Sequence, residues 1–290
     1  MIDTICYVNG KLVKKSQAVI SIYDSGFQHG DGVYEGIRVY NGKVFMLEEH
    51  IKRLYESCKS IDITLPISTE EMKKIVLHTF RENQGIPHLY MRLQVTRGLK
   101  KITGMNPRLN IYKPTIVCCV DSKPPVWNKA GITLITASVR RCPPDFLDSK
   151  IHNCNQLGQI LACIESNMYH ADEPIMLDIN GFVAETAGTT LFMIKDGILF
   201  TPTDKYIMPG ITRRLVLDIF QKQGYKTIEK DLSVHDFYNA DEVFITGTQG
   251  EITPVVKIDG KKIGDTIPGI YTKWIAQKYH ELTASLGTPL

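Results

Sequence analysis

Val33-Tyr-Glu-Gly-Ile-Arg-Val-Tyr40, the pair Asn41-Gly42, Val44-Phe-Met46 and Leu47-Glu-Glu-His-Ile-Lys-Arg-Leu54 follow one another along the chain, and the change of rhythm between them decides the fold class. Residues 33–40 suit a strand. Asn-Gly supplies the two residues that tolerate positive φ in a tight hairpin, and the short apolar run after it completes the pair. From Leu47 the period changes, because Leu47, Ile51, Leu54, Cys58 and Ile61 recur at spacings of three and four. That pattern predicts an amphipathic helix.

Upstream, Tyr7-Val8 leads into Asn9-Gly10, a second hairpin signal. Downstream, the pattern predicts a helix over 69–83, strands over 89–96 and 114–120, and a polar, glycine-bearing loop over 98–113 between them. Asp121-Ser-Lys-Pro-Pro125 then combines charge and two prolines with no apolar residue, which marks a boundary. The expected division is a small N-terminal domain over 1–120, a linker over 121–130 and a larger domain over 131–290. In the latter, Ile132 to Val139 alternates as a strand, and Leu157, Ile160, Leu161, Ile164 and Met168 mark a helix. Hairpins turn at Asn180-Gly181 and Asp196-Gly197, and a helix follows Pro209-Gly210 with Gly224 as its stop. Strands over 226–232 and 242–246 and a helix over 271–284 complete the chain. Hairpins and helices are mixed in both halves without strict alternation, so the expected class is α+β, not a doubly wound parallel sheet.

The composition excludes several function classes. With 43% hydrophobic and 22% charged residues among 290, the chain is ordinary globular material, and disorder, collagen and disulfide-rich miniproteins are ruled out. The net charge is +3, and a cluster such as Arg97 to Lys101 holds three basic residues, too few for the concentrated stripe that binds nucleic acid. Seven cysteines without a Cys-x-x-Cys pair argue against structural zinc and a disulfide framework. The N-terminal residues lack a leader pattern, and no stretch approaches about 20 apolar residues, so a cytoplasmic location is expected.

Local chemistry is suggestive at three places. Pro209-Gly210-Ile211-Thr212 opens a helix, where unpaired N–H groups and the Thr212 hydroxyl could hold a phosphate, although the four letters also read as a plain glycine turn. Gly247-Thr248-Gln249-Gly250 ends a strand as either an anion nest or a simple turn. Arg53 lies off the apolar stripe of its helix, with Glu49 four residues before it, and reads first as a solvated ion pair. Phosphate-loop, dinucleotide, zinc-hydrolase and serine-hydrolase motifs are absent from the sequence.

Longer blocks go further. Tyr7 to Lys11, Asp24-Ser-Gly-Phe-Gln-His-Gly-Asp-Gly-Val-Tyr-Glu-Gly-Ile-Arg38 and Leu47 to Leu54 resemble the N-terminal half of the class IV, or fold-type IV, pyridoxal-phosphate aminotransferases. Ser149-Lys150-Ile-His-Asn153, Gly181 to Phe192, Met208-Pro-Gly-Ile-Thr-Arg213, Gly247 to Val255 and Ile258 to Gly264 resemble the second half in order and spacing. The resemblance implies two mixed domains with the cofactor site between them and pyridoxal 5'-phosphate as cofactor. It makes Lys150 the Schiff-base residue and proton carrier, and sets Glu185 against the pyridine nitrogen. It assigns the phosphate to Arg53, the amides of Ile211 and Thr212, and the hydroxyls of Thr212 and Thr248. Tyr34, Arg38, Tyr90 and Arg92 correspond to the substrate pocket of branched-chain aminotransferases, with Thr248, Gln249 and His29 beside them. A ping-pong exchange between a branched-chain-type amino acid and an oxo acid such as 2-oxoglutarate is the implied reaction.

Four positions depart from that pattern. His29 stands for a usual tyrosine, Asn155 for the tyrosine expected near the cofactor O3', Thr190 for a common asparagine, and Gln249-Gly250 for a pair of alanines. They keep open a D-amino acid or R-selective amine transaminase, to which Val95-Thr-Arg-Gly98 is also similar, and more remotely an aminodeoxychorismate-type lyase or a non-catalytic pyridoxal-phosphate protein. The family further implies a homodimer in which the loop at Gly104 to Arg108 reaches the partner's site. Trp127 either lines the cleft between domains or packs the linker.

Overall fold

The computed structural model describes residues 2–127 and 130–290, so two positions of the expected linker, Asn128 and Lys129, lie outside the described residues. The chain forms two compact units. Unit 1 comprises residues 1–124, 151–155 and 283–290, and unit 2 comprises 125–150 and 156–282. The first unit is therefore discontinuous: two short segments return to it after the break at Pro124/Pro125.

Unit 1 contains β1 (Ile5–Val8), β2 (Lys11–Lys14), α1 (Ser25–His29), β3 (Gly32–Tyr40), β4 (Lys43–Val44), α2 (Leu47–Ser60), α3 (Thr69–Arg81), β5 (Leu89–Thr96) and β6 (Thr115–Ser122). The described strands make one sheet in the order β4-β3-β5-β6-β1-β2, with the C-terminal strand Thr288–Pro289 added outside β4. Both expected hairpins form, with Asn9 and Asn41 at φ 46° and 48° as their turns require. The period change at Leu47 is a real boundary. Leu47, Ile51, Leu54 and Cys58 of α2 are buried against Val33 and Ile37 of β3 and Met91, Leu93 and Val95 of β5. α3 starts with a capping box, Ser68 with Glu71, which satisfies orphan amides at its first turn. The loop at 98–113 carries a short 3-10 turn over Pro107–Leu109 and is tied down by the bridge Lys100↔Asn110.

Unit 2 contains β7 (Ile132–Arg140), α4 (Pro144–Leu147), α5 (Leu157–Met168), β8 (Glu173–Leu177), β9 (Val183–Thr186), β10 (Thr190–Lys195), β11 (Ile198–Thr201), α6 (Ile211–Lys222), β12 (Thr227–Glu229), α7 (Val234–Tyr238), β13 (Glu242–Gly247), β14 (Glu251–Ile258), β15 (Lys261–Lys262) and α8 (Ile270–Ser285), the last running on into residues of unit 1. Its described strands run β12-β11-β10-β13-β14-β7-β8-β9, with β15 on β14. Three pairings, β11/β12, β14/β7 and β7/β8, are parallel and the others antiparallel. The mixture is what an α+β class means here. Phe192 and Phe244, both fully buried, face each other across β10 and β13 with centroids 5.2 Å apart. The strand expected over 226–232 is shorter than its pattern, ending at Glu229. No described helix is long and apolar enough to cross a membrane.

Candidate active site

In unit 1 the decisive group is Glu35. Its neighbours on β3, Val33 and Ile37, are core residues, so the carboxylate lies fully buried under α2. Four hydrogen bonds make that burial tolerable. Arg53 of α2 donates from Nε to Oε1 at 2.7 Å and from Nη2 to Oε2 at 2.7 Å, a bidentate fork. His50 Nδ1 stands 2.6 Å from Oε2, and His152 Nδ1 stands 3.2 Å from Oε1. An ionised carboxylate only accepts, so both imidazoles donate from Nδ1. Burial alone would raise the pKa of Glu35, but Arg53 and His152 outweigh it and hold the carboxyl well below 4.5. Burial lowers the pKa of His152 from 6.5 even with Glu35 pulling the other way, so its ring is neutral near pH 7.

This arrangement leaves one nitrogen over. Arg53 Nη1 is buried and has no hydrogen-bond partner among the described residues. A buried, charged N–H without an acceptor costs more than about 1–3 kcal/mol. It is aimed and fixed by its own fork on Glu35, which is the condition of a preformed anion donor.

The opposite face of the same sheet carries the expected pocket residues. Register sets Gly36 opposite Arg92 and Arg38 opposite Tyr90, so Tyr34, Arg38, Tyr90 and Arg92 share one face. Arg92 lies over the Tyr34 ring, its guanidinium carbon 3.6 Å from the centroid, and donates to Gln94 Oε1 at 2.9 Å. Arg38 is buried, donates to the Lys123 carbonyl at 2.9 Å and stands 5.9 Å from the centre of Tyr90. Gly36 makes room for this: a Cβ there would come within 2.6 Å of the Tyr90 hydroxyl. His29 ends α1 exposed, and Asn155 is exposed with its amide donating to Asn153 Oδ1 at 2.9 Å.

In unit 2, Lys150 is half exposed, its Nζ 3.8 Å from Asp204 and its amide donating to Asp148 at 2.9 Å. Glu185, on the short strand β9, is buried against Arg141, whose Nη2 is 2.5 Å from Oε1. The Met208 amide donates to Oε2 at 3.4 Å. Burial raises the pKa of Glu185 above 4.5, and Arg141 is the main opposing charge. α6 begins at Ile211 after Gly210, without a side-chain cap, so the amides of Ile211 and Thr212 are among the four that the helix itself cannot satisfy. Thr190 pairs with Thr246 across β10 and β13, and the Thr246 hydroxyl is buried without a partner among the described residues. Thr248 and Gln249 form the half-buried turn after β13. Trp127 packs on Gly250, where a Cβ would collide with the indole ring, and Val126 donates to the Gln249 carbonyl at 3.2 Å. Gly250 is thus required by Trp127.

One local reading changes. Arg53 is not a solvated partner of Glu49; its partner is Glu35, because the short β3–β4 hairpin lays α2 across β3. Sequence reasoning also missed Glu35, His50, His152 and Arg141. Glu35 did leave a signal, a carboxylate at a position whose neighbours of the same parity, Val33 and Ile37, are apolar. Among the described residues no group of three or more His, Cys, Asp or Glu is placed to hold a metal.

Residues 32–258 match the family described as Amino-transferase class IV. A putative branched-chain-amino-acid aminotransferase of Methanocaldococcus jannaschii is 44% identical over 97% of each chain. Branched-chain-amino-acid aminotransferase-like protein 1 of Arabidopsis thaliana is 42% identical over 99% of this chain, which spans about half the length of that relative. A D-alanine aminotransferase of Listeria monocytogenes is 36% identical over 97% of this chain and 96% of its own. Among solved structures, the T.th. branched-chain amino acid aminotransferase with pyridoxamine 5'-phosphate superposes with a TM-score of 0.92 at 30% identity, covering 98% of this chain and 95% of that one.

Proposed function

The chain belongs to the class IV aminotransferases, and from that premise we propose that it uses pyridoxal 5'-phosphate to move an amino group, by a ping-pong exchange, between a branched-chain-type amino acid and an oxo acid such as 2-oxoglutarate. The observation that carries the reading is Arg53, held in a fork by Glu35 with Nη1 buried and unpartnered. A phosphate dianion suits that donor; the first amides of α6 and the Thr212 and Thr248 hydroxyls are the further groups that this proposal assigns to it.

When bound, the cofactor supplies an electrophilic carbon for the amine and a ring that accepts the electron pair left by the α-proton. Lys150 Nζ would hold it covalently and would carry the α-proton. Glu185 would be the carboxylate that meets the ring nitrogen; burial raises its pKa, and Arg141, 2.5 Å from Oε1, is the charge that opposes that rise. Arg38 and Arg92, with Tyr34 and Tyr90, share one sheet face and would receive substrate carboxylates there; Gln249 and His29 are further residues assigned to the substrate in this proposal. Asn155 would be the residue nearest O3' of the cofactor in this proposal, with a shorter side chain than a tyrosine.

The similarity to a D-alanine aminotransferase supports a second reading, a D-amino acid transaminase on the same residues. A homodimer is also proposed. Leu157, Ile160, Leu161, Ile164 and Met168 of α5 are each 47–74% exposed, an apolar stripe that a second copy would cover. Seven free cysteines suit a reducing cytoplasm.

Borohydride reduction of protein loaded with pyridoxal 5'-phosphate, followed by peptide mapping, should place the label on Lys150; a label elsewhere overturns the assignment. L-Leucine should convert the bound cofactor to its amine form faster than D-alanine or an R-amine. The reverse order would move the reading to the D-amino acid enzyme.

A further inference from the structure

Residues 151–155 are stitched to unit 1 at several points. The His152 amide donates to Ser57 Oγ of α2 at 3.2 Å, and its carbonyl accepts from the Tyr34 amide at 2.9 Å. Asn153 bridges to Val33, and the Cys154 amide donates to the Gly32 carbonyl at 2.8 Å. Backbone pairing of this kind fixes the path of the segment. It does not explain why a neutral imidazole is buried at its centre.

The side chain of His152 makes two further contacts. Nδ1 donates to Glu35 Oε1, the oxygen that also accepts Arg53 Nε. The ring lies against Tyr34 with centroids 4.0 Å apart, and Arg92 covers that tyrosine. One unbroken series of contacts thus runs Arg92, Tyr34, His152, Glu35, Arg53. It begins at an arginine proposed for the substrate carboxylate and ends at the arginine proposed for the phosphate. His152 is its middle member, and it stands two residues after Lys150.

We propose that His152 is a positioning residue, which fastens the segment following Lys150 to the Glu35 carboxylate and thereby aims Arg53 at one end and seats Tyr34 under Arg92 at the other. The claim about Arg53 rests on the cofactor reading above, whereas the fastening of 151–155 does not. If the donor matters, a side chain that presents N–H where Nδ1 stands should restore what an apolar one loses. Asparagine does so, since its Nδ2 is placed much as Nδ1 is, and leucine does not.

Two measurements on His152→Leu and His152→Asn test this. Hydrogen exchange of protein without added cofactor should show the Tyr34 and Cys154 amides exchanging about tenfold faster in His152→Leu, the size expected for losing one hydrogen bond to a charged group, and near wild type in His152→Asn. The dissociation constant for pyridoxamine 5'-phosphate should likewise rise about tenfold in the leucine variant and recover in the asparagine variant. Both variants lose the ring on Tyr34, so KM for the oxo acid should rise in both while kcat changes less. Unchanged exchange in His152→Leu, or an asparagine variant that matches leucine in exchange and in pyridoxamine 5'-phosphate affinity, overturns the proposal. If wild type fails to bind pyridoxamine 5'-phosphate, the cofactor reading and the aiming of Arg53 fall, while the exchange result still decides the fastening role.

Discussion

Arg141 and Glu185 form a buried pair in which each charge depends on the other. Removing the arginine by Arg141→Met leaves the carboxyl facing burial alone, and breaking such a pair costs about 3–5 kcal/mol. Its pKa should rise further, so the acidic limb of the pH–rate profile moves to higher pH; a limb that stays in place would detach Glu185 from the rate. Glu173 on β8 offers a contrast, because its Oε2 is buried without a partner among the described residues, and burial pushes its pKa from 4.5 to about 7. A carboxyl raised in the folded state binds more protons there than in the unfolded chain. Stability attributable to it therefore falls as pH rises from 4.5 through about 7, by at most about 3 kcal/mol. Glu173→Gln should flatten this dependence, gaining on wild type between pH 5 and pH 8 in thermal melts; parallel curves would refute it. Neither Arg141 nor Glu173 was visible in the sequence. Lys150, Arg53 and Glu185 were singled out because they sit in recognisable blocks, whereas the partners that set their charge come from distant strands, as with Glu35 and His152, 117 positions apart.

At the scale of elements, periodicity reveals that a helix exists and leaves open what it faces. α2 and α5 have similar apolar rhythm, yet α2 buries its stripe in the core and α5 buries Ala162 and Ser166 while its large apolar residues lie outward. Nothing in the local spacing distinguishes the two cases, because the choice depends on which face meets the sheet. If a second copy covers the stripe, Ile160→Glu with Ile164→Glu should yield a monomer of unchanged helix content, read by light scattering and circular dichroism. Retention of the wild-type mass would remove α5 from the interface. Turns were more legible than faces. Asn-Gly and Asp-Gly pairs chose their hairpins through the positive φ that those residues accept, now seen at Asn9, Asn41 and Asp196.

At the scale of the molecule, the proline-rich break at 124/125 shows in composition because a linker needs no core. The return of 151–155 and 283–290 to unit 1 does not, since it depends on pairing with β3 and β4 that no local signal announces. That discontinuity has a mechanical meaning. Cutting one peptide bond at Pro124/Pro125 would not divide the protein, because the downstream fragment still contributes a bridge to Val33 and an edge strand beside β4. A nicked chain with a protease site inserted there should elute as one species in native gel filtration and separate only in denaturant. Fragments that part without denaturant would mean that the two returning segments hold too weakly to act as a clasp. A clasp of this kind makes the protein a candidate for reconstitution from two separately synthesised halves.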